Sequence, residues 1–319
     1  MENWWTMNDE VDVRTRAHVT VDRANGGRLF GLRTREPRRE GMSMKIGIVG
    51  AGNIGGTLVR KLRASGHGVR VANSRGPESL SGLAAETGAT VVTAAEVAAG
   101  VDVLIVSVRF QQLTALKPLI SEVASDITVV DTSNYLPASG QPEQYEASPV
   151  EAIDAGQPET AWLQEQWGRP VIRAWNPLSA PTLANKGKAH GEPGRLALPV
   201  SGDSAESKQL VMRLVDDTGF DAVDAGTIAE SWRQQMGTPA WCTELTADQL
   251  REALGLADRE AAPKRRDAAR QIISTWQDRS NFEDWLRLYR AIARFPVADD
   301  RAPITMRPRS LVGVAPRRN

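Results

Sequence analysis

Apolar and polar residues follow two different periods along this chain, and the alternation between them places strands and helices. Short runs rich in β-branched residues alternate with stretches in which apolar residues recur every three or four positions, a pattern typical of parallel βαβ units. The short runs predict strands at 45–49, 68–72, 90–92, 103–106, 128–131, 171–175, 196–200 and 222–224. The longer period predicts helices at 54–65, 113–124, 160–167 and 204–218.

After about residue 231 the strand pattern stops, and helices are predicted at 247–256, 262–277 and 282–294. The chain is therefore expected to be an α/β protein, doubly wound around a mostly parallel sheet, with a C-terminal helical segment. We divide it into an N-terminal extension (1–43), an α/β domain (44–235), the helical segment (236–294) and a tail (295–319). The extension and the tail are expected to be poorly ordered or loose. The extension is either a functional arm or the result of a start assigned too early, with Met42 or Met44 as the real beginning.

A glycine pattern follows the first predicted strand directly. Gly50-Ala51-Gly52-Asn53-Ile54-Gly55 has the form G-x-G-x-x-G and opens a predicted helix, the context in which this motif binds a dinucleotide. Gly50 permits the tight turn, Gly52 admits the pyrophosphate, and Gly55 lets the helix pack closely. The helix beginning near Asn53 and Ile54 offers free N–H groups to the phosphates. The α/β domain is therefore predicted to be a Rossmann domain.

The residues after the second predicted strand indicate which dinucleotide is bound. Domains that prefer NAD place an Asp or Glu about 20 residues after the glycines, and none stands there in this chain. The strand instead leads into Asn73-Ser74-Arg75, which supplies a hydroxyl and a guanidinium. These groups suit the 2′-phosphate of NADP(H), because Arg75 can form a forked pair with it.

Further segments extend these motifs into a family resemblance. Residues 73–77, 130–134, 173–180 and 200–208 resemble the corresponding segments of deazaflavin (coenzyme F420)-dependent NADP oxidoreductases, the NADPH-dependent F420 reductase-like Rossmann family. They also resemble the cytosolic domain of the six-transmembrane metalloreductases. The resemblance covers about residues 44–235. It implies that a hydride passes between the nicotinamide of NADP(H) and a deazaflavin or flavin ring stacked against it.

The resemblance also implies which residues surround the nicotinamide. Leu178 and Ala180 would receive the carboxamide. The residues after the fourth strand would flank the ribose, and those after the fifth lie at the same carboxyl edge, where open α/β sheets bind ligands. The first group is Val106, Ser107, Val108 and Arg109, and the second is Ser133, Asn134 and Tyr135.

The expected substrate pocket comprises Tyr135, Trp175, Asn176 and Pro177. The aromatic ring of Trp175 and the proline after Asn176 depart from the family pattern, which leaves the acceptor open. Hydride transfer between stacked rings depends mainly on positioning, so a dedicated acid or base is not required. If a substrate needs a proton, Tyr135 is the candidate donor.

Composition and charge exclude several other classes of function. The 319 residues contain 39 Lys+Arg and 39 Asp+Glu, a balance that argues against a nucleic-acid partner. Cys242 is the single cysteine, so no disulfide within the chain and no cysteine cluster for a metal can form. No metal site is predicted. Apolar runs are too short to cross a bilayer, and we expect a cytoplasmic protein, with homodimerisation one expectation.

These observations predict an NADP(H)-dependent oxidoreductase that transfers a hydride between nicotinamide and a deazaflavin, a flavin or another small acceptor. Two alternatives remain open at this point. A binding protein that senses the NADP(H) ratio without turnover would also lack an acid and base. An imine or hydroxyacid reductase would use the C-terminal helices as its substrate domain.

Overall fold

Six parallel strands form the central sheet, in the order β3-β2-β1-β4-β5-β6. The computed structural model describes residues 43–136, 150–276 and 281–293, all of which fall in one compact unit. The strands are β1 (Lys45–Val49), β2 (Gly68–Ala72), β3 (Thr90–Val91), β4 (Val103–Val106), β5 (Thr128–Asp131) and β6 (Ile172–Arg173). This is the predicted α/β, doubly wound architecture of a Rossmann domain.

The strand order reverses between β1 and β4. β1 pairs with β2 on one side and with β4 on the other, and Val49 stands opposite both Ala72 and Val106. Strands buried on both faces are nearly all apolar, and all four residues of β4 are buried. The crevice outside the carboxyl ends of β1 and β4 is therefore the place where a fold of this topology binds its ligand.

A second, two-stranded parallel sheet continues beyond β6. It consists of β7 (Ala197–Val200) and β8 (Asp221–Asp224). Arg173 and Ser201 exchange two backbone hydrogen bonds, N–H to O at 2.9 and 3.1 Å, and this antiparallel bridge joins the two sheets.

Helices cover both faces of the sheets. They are α1 (Asn53–Ala64), α2 (Ser81–Thr87), α3 (Lys117–Ser121), α4 (Glu151–Asp154), α5 (Glu159–Trp167), α6 (Ala180–Asn185), α7 (Ala205–Asp217), α8 (Ala247–Gly255), α9 (Ala261–Ser274) and α10 (Phe282–Ala293). Sequence periodicity did not predict α2, α4 and α6, each of which has seven residues or fewer.

Two predicted elements are wrong in extent. The helix predicted over 113–124 is one 3₁₀ turn, Thr114–Leu116, followed by the five-residue α3. Pro118 lies in the first turn of α3, and because proline has no N–H it cannot continue a helix from upstream. The strand predicted over 171–175 pairs only at Ile172 and Arg173, since Trp175 adopts a left-handed conformation with φ of 57°.

The predicted C-terminal helices are present as α8, α9 and α10. Gly237 lies against α9, and a Cβ there would overlap the carbonyl oxygen of Ala262 and come within 2.9 Å of the Arg266 nitrogen. Gly237 also has φ of 95°, so this contact requires glycine. The expectations for 1–42 and 295–319 lie outside the described residues. Over the part of the chain described, no helix combines the length and apolarity that a membrane crossing demands.

Candidate functional site

The glycine loop links β1 to α1 at the strand reversal. Gly50 has φ of 95°, and a Cβ on it would overlap the carbonyl oxygen of Ser107 after β4. Gly55 lies in the first turn of α1, where a Cβ would overlap the carbonyl oxygen of Gly50. These two glycines are therefore required by the close approach of the loop, the helix and the neighbouring strand.

Gly52 has no such internal reason to be glycine. Its φ of −75° is open to any residue, and a Cβ there would meet no atom within 4 Å. Gly52 is also the N-cap of α1, with no side chain capping the helix and no acid in its first turn. The N–H groups of Asn53 and Ile54, in the first turn, have no partner within the helix, and the positive end of the helix dipole lies at this turn. This cradle fits the diphosphate of a dinucleotide.

The loop after β2 lies beside this cradle. The Gly50 N–H donates to the carbonyl of Ala72 at 2.8 Å, which ties the glycine loop to the end of β2. Asn73 shapes the next turn, because its Oδ1 accepts from the Arg75 N–H at 2.9 Å and its Nδ2 donates to the Ser79 hydroxyl. The side chains of Ser74 and Arg75 remain exposed. We call residues 50–55 and 73–76 the phosphate-loop end of the site.

The segment after β4 forms the other wall of the crevice. Val106 is buried as the last residue of β4, and the Ser107 N–H donates to the carbonyl of Val49 at 2.8 Å. Ser107 and Val108 are half-buried and Arg109 is exposed. These predicted ribose-flanking residues therefore lie directly across from the glycine loop.

The carboxyl ends of β5 and β6 meet through a pair of asparagines. The Nδ2 group of Asn134 donates to the carbonyl of Asn176 at 2.9 Å, and the Nδ2 group of Asn176 donates to Oδ1 of Asn134 at 3.2 Å. Both side chains also bond to residues from further along the chain. Gln234 Nε2 donates to Asn176 Oδ1 at 2.7 Å, and Trp241 Nε1 donates to Asn134 Oδ1 at 3.1 Å. Asn134 and Asn176 thus hold protein groups rather than presenting amides to a ligand.

Other residues predicted for the pocket are more buried than a pocket wall should be. The Trp175 ring is fully buried in the core, with Nε1 donating to the Thr218 hydroxyl at 3.2 Å. Its assignment to the substrate pocket is therefore wrong, because its left-handed backbone turns the indole into the core. Pro177 is buried and its carbonyl accepts from the Cys242 N–H at 3.1 Å. Leu178 is buried, and Ala180 is half-buried at the start of α6.

Tyr135 is fully buried, and its hydroxyl is used within the protein. The hydroxyl donates to the Asp154 carboxylate, at 3.1 and 3.2 Å from its two oxygens, and accepts from the Val150 N–H at 3.0 Å. Burial raises the pKa of Tyr135. These contacts give Tyr135 a structural role, and they do not favour it as a proton donor to a substrate.

Ser133 differs from its neighbours. Its N–H donates to Asp131 Oδ1 at 2.8 Å, but its hydroxyl is buried and has no hydrogen-bond partner among the described residues. An unsatisfied buried hydroxyl is costly, which makes this hydroxyl a candidate to bond to a ligand at the carboxyl edge of the sheet. We call residues 133–136, 176–178 and 234–245 the acceptor end of the site.

A buried charge cluster beneath the acceptor end was missed by the sequence analysis. Arg173 is fully buried and reaches Asp131 at 3.1 Å and Glu159 at 2.6 Å. Thr160 donates to Asp131 Oδ2 at 2.9 Å. Burial raises the pKa of Glu159 although the charge of Arg173 opposes the rise. Charged residues inside otherwise apolar strands, Asp131 and Arg173, were the signal that could have identified this cluster.

The remaining titratable groups lie elsewhere and have structural partners. Burial raises the pKa of the Cys242 thiol, which makes it a poor nucleophile. His190, Asp216 and Asp221 lie close together, and Arg195 pairs with both aspartates. Burial raises the pKa of Asp216, but hydrogen bonds from His190 and Arg195 outweigh it and hold that pKa below its usual range. An arginine already neutralises this group.

Two surface hollows lie away from the site. One, of about 290 Å³, is lined by Lys45 and Thr90, and the other, of about 210 Å³, by Thr128 and Ile172. These residues begin their strands. Both hollows therefore open at the amino edge of the sheet, opposite the glycine loop.

Comparison with known proteins agrees with this geometry. Residues 45–135, from β1 to the turn after β5, match the model of the family "NADP oxidoreductase coenzyme F420-dependent". Residues 45–135 are therefore similar to that family, and they contain the first five strands of the Rossmann sheet. The match includes the glycine loop, the turn after β2 and the ends of β4 and β5.

Three individual proteins resemble this one. YjhV of Escherichia coli K12 is 51% identical over 67 residues, which are 21% of this chain and 49% of YjhV, so the chain spans about half the length of this curated relative. Hypothetical protein SMa0349 from Sinorhizobium meliloti has a TM-score of 0.53 at 28% identity, over 64% of this chain and 96% of that one. A proposed F420-dependent NADP reductase of Arthrobacter sp. FB24 has a TM-score of 0.49 at 24% identity, over 58% and 86% of the two chains.

Proposed function

We propose that this protein is an NADP(H)-dependent oxidoreductase that transfers a hydride between the cofactor and a small planar acceptor such as a deazaflavin or a flavin. The observation that carries the proposal is Gly52. It is a glycine with ordinary φ and an open side, at the uncapped start of α1. At this place, between β1 and the start of α1, a residue without a side chain lets the protein backbone approach a pyrophosphate closely.

The phosphate-loop end would bind the cofactor's anionic half. N–H groups at the start of α1 would hold the diphosphate, and Ser74 and Arg75 would hold the 2′-phosphate. Arg75 is exposed, and the turn that presents it is held by Asn73. An aspartate or glutamate in place of Ser74 or Arg75 would repel that phosphate, and this loop has none at either position.

The acceptor end would position the reacting half. When bound, the nicotinamide ring supplies or takes up the hydride. Here the chain contributes orientation and exclusion of water rather than an acid or base, since Tyr135, Asn134 and Asn176 are already bonded within the protein. The Ser133 hydroxyl and the backbone from Asn176 to Leu178 are the groups that would meet the carboxamide end.

The reaction is tested by mixing purified protein and NADPH with flavin, deazaflavin, imines and keto acids, and following the absorbance of reduced nicotinamide. We expect turnover with the deazaflavin or the flavin. Turnover with imines or keto acids alone would favour a reductase of those substrates. Tight binding without turnover would instead favour an NADP(H) sensor.

Cofactor choice is tested separately with Arg75→Ala. Because a hydrogen bond to a charged group contributes about 1.5–3 kcal/mol, NADPH affinity should fall about 10- to 100-fold. NADH lacks the 2′-phosphate, so its affinity should change little. Calorimetry with both cofactors decides the point, with Arg251→Ala on the exposed side of α8 as the control. Equal losses for NADPH and NADH would refute the assignment.

A further inference from the structure

Segment 234–245 reaches the carboxyl edge of the sheet through two side chains. Gln234 spans from Asn176 to Ser201, donating to the first at 2.7 Å and accepting from the hydroxyl of the second at 2.8 Å. Trp241 donates its indole N–H to Asn134 at 3.1 Å. The segment lies beyond residues 45–135, which match the family.

These hydrogen bonds form one continuous network. It runs from Trp241 to Asn134, from Asn134 to Asn176, and from Asn176 through Gln234 to Ser201. Asn176 uses both donor and acceptor atoms of its amide, since Nδ2 also donates to the carbonyl of Gln234 at 2.8 Å. In this largely buried network the oxygen and the nitrogen of each amide have a partner, which favours a single geometry because each alternative leaves a polar group without one.

The indole of Trp241 is held on its other sides as well. Tyr289 packs edge-on against it at 4.7 Å between ring centroids, with an interplanar angle of 86°. Cys242 and Glu244, which follow it, both have left-handed backbones, with φ of 53° and 56°. Residues other than glycine keep such conformations only where contacts with the surrounding structure hold them. Here Glu244 accepts from the Thr182 hydroxyl at 2.5 Å and from Lys186 at 2.8 Å.

We propose that Trp241 and Gln234 are positioning residues that lock Asn134 and Asn176, and through them set the Ser133 hydroxyl and the backbone of 176–178 against the nicotinamide end of NADP(H). This inference rests on the proposed function. Asn134 follows Ser133 in the turn after β5 and its side chain holds the carbonyl of Asn176, so the contacts of Asn134 keep the turn that carries the unpartnered Ser133 hydroxyl beside the backbone of 176–178. Residues 234–245 are accordingly part of the active site.

The experiment uses full-length protein, NADPH as the probe and the emission of reduced nicotinamide, which rises when the ring is immobilised. Trp241→Phe keeps an aromatic ring but removes the N–H donor. Its NADPH dissociation constant by calorimetry should stay within about 3-fold of the wild type, because the phosphate contacts are untouched. The gain in nicotinamide emission on binding should fall by about half or more, because a lost positioning contact loosens the ring.

The matched control is Trp276→Phe. Trp276 packs edge-on against Trp285 at 5.4 Å within the same helical segment, and no described bond joins it to the carboxyl edge. The control should keep the full emission gain. An unchanged gain in Trp241→Phe, or an equal loss in the control, would overturn the inference.

A second variant covers the case in which Trp241→Phe does not fold. Gln234→Met keeps the length of the side chain and removes its bonds to Asn176 and Ser201. It should lose emission in the same way, and a full gain would overturn the inference. Absence of NADPH binding by the wild type is a distinct result, since it refutes the proposed function and with it this inference.

Discussion

The two ends of the site are built in opposite ways. The phosphate-loop end is made by two short segments with mostly local contacts, such as Gly55 against Gly50 and the turn held by Asn73. The acceptor end is made by residues far apart, such as Asn134 with Trp241, 107 positions away. The phosphate-loop end has exposed side chains, whereas the acceptor end has mostly buried amides and charges. A local motif can therefore mark a candidate cofactor loop without indicating what would react there.

The largest effect should come from the buried charges beneath the acceptor end. Arg173→Met leaves the carboxylates of Asp131 and Glu159 without their cation. Removing one partner of a buried pair costs about 3–5 kcal/mol, so the free energy of unfolding in urea should fall by that amount. Arg251→Met, at an exposed pair on α8, is the control and should change little. A small loss in Arg173→Met would show that the acceptor end does not depend on this cluster.

Glu159→Gln tests the same charge cluster through the pH dependence of the free energy of unfolding. Burial holds the folded-state pKa of Glu159 above its ordinary value, so the folded protein binds the proton more tightly than the unfolded chain does. The stability from this group is present below its ordinary pKa and is lost as the pH rises through the folded value. Unfolding measured from pH 4 to 7 should show this decline in the wild type and less of it in Glu159→Gln. Parallel profiles would contradict the assignment.

The next effect concerns the phosphate-loop end. In Gly55→Ala the new methyl group overlaps the carbonyl oxygen of Gly50, and both atoms belong to the tight turn. Forcing atoms into packed space costs about 1–3 kcal/mol and at times more, so thermal stability should fall by this amount. Retention of full stability would mean that the loop can move away from α1.

The smallest change in stability should come from Gly52→Ala, which sharpens the contrast within one loop. Nothing lies within 4 Å of the added carbon, so folding should be unaffected. The same carbon occupies the space for the diphosphate, and NADPH affinity should fall about 10-fold, or about 1.4 kcal/mol. Thermal melts and calorimetry on this variant and on Gly55→Ala separate the two roles. Unchanged affinity would remove the main support for a cofactor at this loop.

Sequence patterns predicted the fold well where burial is uniform. The bounds of β1, β2, β4 and β5 were predicted to the residue, because buried parallel strands form short apolar runs. The pattern was wrong over 113–124, where apolar spacing suited a helix but Pro118 divided it. It also extended β6 to Trp175, whose left-handed conformation no periodicity reveals.

The candidate site divides in the same manner. The positions of Gly50, Gly52 and Gly55 between β1 and α1, and of Ser74 and Arg75 after β2, could be predicted because they depend on a short motif. Gln234 and Trp241 could not, since their contacts depend on where two distant segments meet. The assignment of Trp175 to the substrate pocket was wrong for a related reason, because the residue type does not tell whether an indole ring faces a pocket or the core.

Gly237 has a consequence for engineering. Because α9 rests directly on its bare backbone, the depth at which the C-terminal helices sit is set by the lack of a single methyl group. Transfer of these helices to a shorter protein of this fold would therefore also require a glycine at this position. With alanine at position 237, the added methyl group would keep α9 away from this backbone. Trp241, four residues later, would then be displaced.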